Sequence, residues 1–246
     1  MKNQNKVYGF QSVRETLAAG KKIEVLYTAR KKNRATDNLI SNAQKAGARI
    51  ESRNKDELTK LAGSDRHQGV VAFLESGSDA KLVSVDDIVQ FAESLSEDPL
   101  VLVLDQIQDP HNLGALLRTA YALGFHGAII PDRRACQVTP TVVKVSAGAA
   151  MHLRIARVTN IKRALEELKD RGVWCAAAVM NGEVAAKVNL GGPLALVVGS
   201  EGDGVRRTVA ETCDYLISVP MSANFDSLNA SVAGGILMYE TLRQRM

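Results

Sequence analysis

From Pro99 onward the chain is organised around continuous apolar runs: LVLVL (100–104), GAIIP (127–131), VWCAAAVM (173–180), LALVVG (194–199) and LISVP (216–220). A strand with one wet face alternates polar and apolar residues. A run that is apolar at nearly every position fits a strand covered on both faces, as in a parallel sheet between helices. The segments between these runs supply the helices: NLGALLRTAYALG, TPTVVKVSAGAA, NIKRALEELKDRG and VRRTVAETC, with a long closing helix in SLNASVAGGILMYETLRQR. The pattern predicts an α/β domain over residues 98–246, its sheet mostly parallel and helix-covered on both sides.

The first 76 residues read differently. Short amphipathic helices (FQSVRETLAAG, RATDNLISNAQKAG, NKDELTKLAG) alternate with strands (KIEVLYTA, ARIES, QGVVAFLE). Gly20 and Gly47 stop the first two helices, and Asn54 is placed to cap the third. This predicts a small α/β unit of its own over residues 1–76. The polar SGSDAK stretch and the helix VSVDDIVQFAESL then form a linker and connecting helix over 77–97.

Charge separates the two parts. Residues 1–76 hold 15 Lys/Arg against 8 Asp/Glu, a net +7, whereas the rest hold 16 against 19, a net −3. The basic front, with Arg30, Lys31, Lys32 and Arg34 in one run, suits an anionic polymer such as RNA, although a solvated basic face is equally compatible with charge alone. No apolar run reaches the ~20 residues a membrane helix needs, and the N-terminus lacks the apolar core of a signal peptide. Cys136, Cys175 and Cys213 lie far apart and the four histidines show no ligand spacing. These features point to a cytoplasmic protein with no disulfide framework and no metal site.

In open parallel sheets ligands bind beyond the carboxyl ends of the strands, and three such ends carry unusual residues. In QDPHNLGALLRTA, Pro110 stiffens the turn and Asn112 either caps the helix or faces a ligand. Arg118 comes under two turns later, roughly on the same side. In LALVVGSEGDGVRR, glycines 199, 202 and 204 let a ligand meet the backbone, while Glu201 and Asp203 would repel phosphate and accept a neutral or cationic group. The loop is neither G-x-G-x-x-G nor a loop ending in G-K-[ST]. In LISVPMSANFDSLNASVAGG, Ser227, Asn229 and Ser231 open a helix whose Gly234 and Gly235 cost stability that close packing against another helix, as at a subunit interface, would offset. Each segment alone is compatible with ordinary capping and turning.

Together, D-P-H-N-L-G-x3-R-T-A, G-S-E-G-x-G and I-S-V-P-M…S-L-N-A-S-V-A resemble, in order and spacing, the three motifs of the SpoU/TrmH branch of the SPOUT RNA methyltransferases. YGFQSVRETL and HQGVVAF resemble the substrate-binding domain of many members, so the resemblance spans nearly the whole chain. Within the branch it is most similar to the bacterial enzymes that methylate the 2′-hydroxyl of a peptidyl-transferase-centre guanosine in 23S rRNA. The resemblance implies a trefoil-knotted α/β catalytic domain, a small L30e-like N-terminal domain, S-adenosylmethionine as cofactor and a homodimer formed by the catalytic domain. It implies catalytic and substrate-placing roles for Asn112, Arg118, Glu201, Ser227 and Asn229. It also implies a cofactor pocket at Val198, Gly199, Gly202, Val219, Pro220 and Leu228, reached mainly through backbone groups. The rival readings are a tRNA 2′-O-methyltransferase and a non-catalytic RNA-binding module; the latter leaves the glycine-and-acid loop unexplained. A dinucleotide-dependent oxidoreductase lacks its fingerprint here.

Overall fold

The computed structural model describes residues 6–29, 34–74, 82–222 and 228–246. These fall into two compact units, one holding the described residues up to Leu74 together with Val138–His152, the other holding Leu82–Gln137 and Leu153–Met246.

The first unit runs β1 (Lys6–Tyr8), α1 (Phe10–Ala18), β2 (Ile23–Ala29), α2 (Arg34–Lys45), β3 (Arg49–Arg53), α3 (Lys55–Ala62) and β4 (Val70–Leu74). Its sheet has the order β1-β4-β2-β3, with β4 antiparallel to both neighbours and β2 parallel to β3. Val13, Ile23, Leu26, Leu39 and Val70 fill its core. Gly20 and Gly47 sit at positive φ just past α1 and α2. Asn54 and Glu57 form a capping box at the start of α3, satisfying two otherwise orphaned N–H groups.

From Leu82 the chain forms β5 (Leu82–Val83), α4 (Val85–Ser94), β6 (Leu100–Asp105), α5 (Pro110–Ala122), β7 (Gly127–Pro131) and α6 (Pro140–Val145). It continues with β8 (Arg154–Val158), α7 (Ile161–Asp170), β9 (Trp174–Val184), β10 (Leu194–Gly199), α8 (Arg207–Ala210), β11 (Tyr215–Ser218) and α9 (Ala230–Arg245). Apart from α6, these elements build the second unit on a wholly parallel sheet of order β11-β9-β10-β6-β7-β8-β5. Every residue of β6, β7 and β10 is buried, the apolar runs and also Asp105 at the end of β6. Val85, Ile88 and Val89 of α4 join α7 and α8 over one face of the sheet. A side chain at Gly127 would stand 2.7 Å from Ile88, so α4 lies directly on β7. On the other side α5 packs on β7, α9 on β10, and the two helices on each other. Gly234 makes that last contact possible, since a Cβ there would meet Leu116 of α5 at 2.5 Å.

The segment 139–150, expected to be one helix, is shorter and broken. The α-helix ends at Val145, Ala147 and Gly148 take positive φ, and a 3-10 turn follows over Ala149–Met151. Gly148 lies so close to α1 that a Cβ would meet Glu15 at 2.4 Å, and the Lys144 ammonium sits 5.6 Å above the Tyr8 ring. These contacts tie the segment to the first unit. Strands β1, β5 and β8 were not anticipated. The first two are only three and two residues long, and Arg154 and Arg157 interrupt the apolar pattern of β8.

Candidate functional site

The turn beyond β10 is dictated by its glycines. Gly199 is paired in register with Asp105, and the next residues fold back so tightly that a Cβ on Gly199 would stand 2.0 Å from the Gly204 carbonyl carbon and 2.2 Å from the Val205 nitrogen. Ser200 and Gly204 close the turn with reciprocal backbone hydrogen bonds of 3.1 and 3.0 Å, and Gly204 holds a φ of +65°. The spacing G-S-E-G-D-G is therefore the sequence of a five-residue loop closed on itself, with Glu201, Gly202 and Asp203 displayed at its exposed tip.

The loop is also anchored from β6. Asp105, fully buried, accepts hydrogen bonds from the Arg206 backbone N–H (2.9 Å) and from Nε (2.9 Å), with Arg206 Nη2 at 2.7 Å. Asp105 also contributes to raising the Cys213 thiol, which burial pushes up to about 12.

The three junctions meet at Asn229. Its Nδ2 donates to Asn112 Oδ1 at 3.1 Å and to Glu201 Oε1, while its Oδ1 accepts from the Ser231 N–H (2.9 Å), the Ser231 hydroxyl (2.6 Å) and the Val232 N–H (3.3 Å). The oxygen must face the orphan N–H groups of α9, so the amide orientation is fixed and the nitrogen is aimed at the other two motifs. Asn229 is thus both N-cap of α9 and the knot of a polar cluster. Asn112 does not cap α5; Asp109 does, accepting from the His111 N–H at 3.0 Å, while Asn112 is buried on the inner side of the helix. Nor do Asn112 and Arg118 share a side. Six residues turn an α-helix by about 600°, or 240° net, and Arg118 is exposed with no hydrogen bond or ion pair among the described residues.

Beside this cluster lies a cavity of about 320 Å3 walled by the middle of β9, the ends of β10 and β11, the Ser200–Val205 loop and the first half of α9. That is the size range of small-molecule sites. Five of the six residues expected to hold a cofactor line it: Val198, Gly199, Gly202, Val219 and Leu228; Pro220 does not. Glu201 also reaches the wall, whereas Asn112, Arg118 and Asn229 stand outside it. Ser227 and the basic run at Arg30, Lys31 and Lys32 lie outside the described residues; Arg34 opens α2, its side chain likewise outside the description. Ala178, Val179 and Met180 at the wall were not anticipated. Their signal was positional: β9 is the neighbour of β10 and pairs with it only up to Ala177, so the next residues of β9 border the space beyond the carboxyl end of β10. Among the described residues no group of His, Cys, Asp and Glu is arranged to hold a metal, and no helix is long and apolar enough to cross a membrane.

The SpoU rRNA Methylase family model matches residues 99–239, and the model for RNA 2′-O ribose methyltransferase substrate binding matches residues 6–79. Among similar proteins, the putative TrmH family tRNA/rRNA methyltransferase YacO of Bacillus subtilis is 44% identical over 245 residues, covering 97% of this chain and 95% of that one. The 23S rRNA (guanosine-2′-O-)-methyltransferase RlmB of Neisseria meningitidis is 40% identical over 249 residues, covering 100% and 98%. Among solved structures, the SpoU methyltransferase AviRb of Streptomyces viridochromogenes in complex with AdoMet superposes with a TM-score of 0.82 at 25% identity, covering 98% of this chain and 90% of that one. With its parallel α/β unit, its closed glycine loop and both family models matched along its length, this chain belongs to the SpoU family of RNA methyltransferases.

Proposed function

We propose that this chain uses S-adenosylmethionine to methylate a ribose 2′-hydroxyl in RNA, its target a guanosine in the peptidyl-transferase centre of 23S rRNA. The observation that carries this reading is the convergence of Asn112, Glu201 and Asn229, from three separate strand-to-helix junctions, at the edge of one cavity. The names of the 40–44% identical relatives support the substrate class.

The cavity fits the cofactor by its chemistry. Val198, Ile217, Leu228, Ala233 and Leu237 give it apolar walls for an adenosine, and the Gly199–Gly204 backbone offers donors and acceptors. Glu201 and Asp203 place carboxylates where a sulfonium is welcome and a phosphate is not. When bound, S-adenosylmethionine supplies the electrophilic methyl group. The protein's part is to hold the ribose oxygen in line and to lower the cost of its proton loss. Asn112 and Glu201 both hold Asn229, which fixes α9 against the cofactor loop. Arg118 is exposed, and a guanidinium is a fork of donors with no lone pair to accept a proton. Its role is to bind the RNA phosphate beside the reacting ribose and polarise the hydroxyl, rather than to act as a simple base.

The domain plan we infer from the sequence is a substrate RNA-binding domain at 1–76, a connecting segment at 77–97 whose β5 and α4 join the second unit, and a catalytic domain at 98–246 from which Val138–His152 packs with the first unit, with Arg30, Lys31, Lys32 and Arg34 contributing RNA affinity in the cytoplasm. The catalytic domain forms a homodimer. Val232, Ile236 and Tyr239 are exposed at i, i+4 and i+7 on α9, and a Cβ at Gly235 beside them would meet only Thr119, at 4.0 Å. An apolar stripe with a glycine in it suits a second helix at close range.

Mapping 2′-O-methyl sites in total RNA from cells with and without the gene tests the function. Loss at one 23S rRNA guanosine supports it. Loss in tRNA transfers the activity to the other substrate, and no loss anywhere refutes the enzyme reading.

A further inference from the structure

We propose that Asp105 and Arg206 form the latch that sets the cofactor loop, making Arg206 a positioning residue for S-adenosylmethionine rather than for RNA. This rests on the cavity being the cofactor site. Asp105 fixes both ends of the loop at once. Its backbone stands in register with Gly199, where the loop leaves β10, and its buried carboxylate grips Arg206, where the loop rejoins the fold. Everything between, Ser200 to Val205, lines the cavity.

The grip is specific to arginine and to this backbone. One carboxylate oxygen takes the Arg206 main-chain N–H, and the guanidinium closes on the same carboxylate through Nε (2.9 and 3.1 Å) and Nη2 (2.7 Å). A lysine ammonium keeps the charge but not this forked approach. A fully buried carboxylate is a poor way to gain stability, since an apolar pair of similar volume serves as well or better. What it supplies here is geometry. With Gly199 already pressed to the Gly204–Val205 backbone, a small slip of Arg206 moves the wall of the cavity. The Asn229 cluster holds Glu201 at the loop's tip, and the Asp105 latch holds its base.

The test is calorimetric binding of S-adenosylmethionine to the full chain, together with steady-state methyl transfer to rRNA. Arg206→Ala is expected to raise the cofactor Kd and KM about tenfold or more, while kcat at saturating cofactor and RNA affinity change less than about threefold; Arg206→Lys should recover part of the loss. The double variant Asp105→Asn with Arg206→Ala removes the unpaired buried charge, so its Tm should return toward wild type while cofactor affinity stays low. Affinity that recovers with the Tm, or an Arg206→Ala protein that binds the cofactor normally, overturns the proposal. Should Arg206→Ala alone fail to fold, the double variant and Arg206→Lys carry the comparison. Gly199→Ala serves as the control. If wild type binds no cofactor or Gly199→Ala leaves binding intact, the site assignment fails; if only the Arg206 variants are silent, the latch fails.

Discussion

Replacing Asn229 by Asp separates its two roles. A carboxylate oxygen caps a helix as well as an amide oxygen does, so the bonds to the Ser231 and Val232 N–H groups survive. The Nδ2 donor is lost, leaving the buried Asn112 Oδ1 unsatisfied and setting a second carboxylate against Glu201. A neutral hydrogen bond contributes about 1 kcal/mol, an exposed charged contact about as much, and exposed like-charge repulsion at most about 1 kcal/mol. The total is about 2–3 kcal/mol, which for a domain of this size lowers the Tm by about 5–10 °C. Asn229→Ala loses a similar total for another reason, the missing cap replacing the repulsion. Only a partner substitution distinguishes them. Glu201→Gln turns an acceptor into a donor, so it should restore about 1 kcal/mol to Asn229→Asp and nothing to Asn229→Ala. Urea unfolding of the single and double variants gives this coupling directly. A coupling below about 0.3 kcal/mol, the level at which independent sites add, refutes the claim that Asn229 joins the three motifs.

Gly199→Ala should cost about 1–3 kcal/mol, because the added methyl meets backbone rather than a flexible side chain, and should weaken cofactor binding measured by calorimetry. Arg118→Ala should reduce single-turnover methyl transfer about 100-fold or more while leaving cofactor Kd within about twofold; near-normal transfer sinks its catalytic role. Replacing Arg30, Lys31 and Lys32 together by Ala should lower the slope of log K against log salt for rRNA binding by roughly 2, and an unchanged slope removes them from the RNA site. Burial holds the Cys175 and Cys213 thiols up to about 12. Their raised values add stability that is complete below the unfolded thiol range near 9 and fades as pH climbs toward 12. A disulfide reagent at pH 8 should therefore label both far more slowly in the native protein than in urea.

The second unit was legible because its central strands are buried on both faces and apolar along their length up to Asp105, the last residue of β6; β6, β7 and β10 stand where the apolar runs stood. Strand β8 escaped because Arg154 stacks its guanidinium 3.0 Å over the Phe91 ring and needs no polar surroundings, so a charged letter hid a covered position. The Ser200–Gly204 loop was readable as a loop, since its glycines announce a backbone that comes close to something. That the something is its own Gly204 was not readable, because contacts between chain ends of a tight turn leave no periodicity. The capping alternative for Asn112 fails for a plainer reason. Asp109 and Asn112 are both good caps three residues apart, and Pro110, which favours the first helical position, decides for Asp109.

Gly234 and Gly235, adjacent and alike in sequence, answer to different partners. Gly234 is explained within the chain by Leu116, so it says nothing of a second subunit. Gly235 looks outward beside Val232, Ile236 and Tyr239, where a side chain would be tolerated by this chain alone. If the stripe is a subunit interface, a charge at its centre must be desolvated on association, whereas in an isolated chain it would cost almost nothing. Ile236→Glu is therefore expected to leave the monomer folded with a wild-type circular dichroism spectrum, and to shift the sedimenting species from dimer to monomer. Gly235→Leu should do the same by bulk, while Gly234→Leu should unfold or destabilise the chain outright by driving into Leu116. An Ile236→Glu protein that sediments as wild type would mean that the exposed stripe is not where two copies meet.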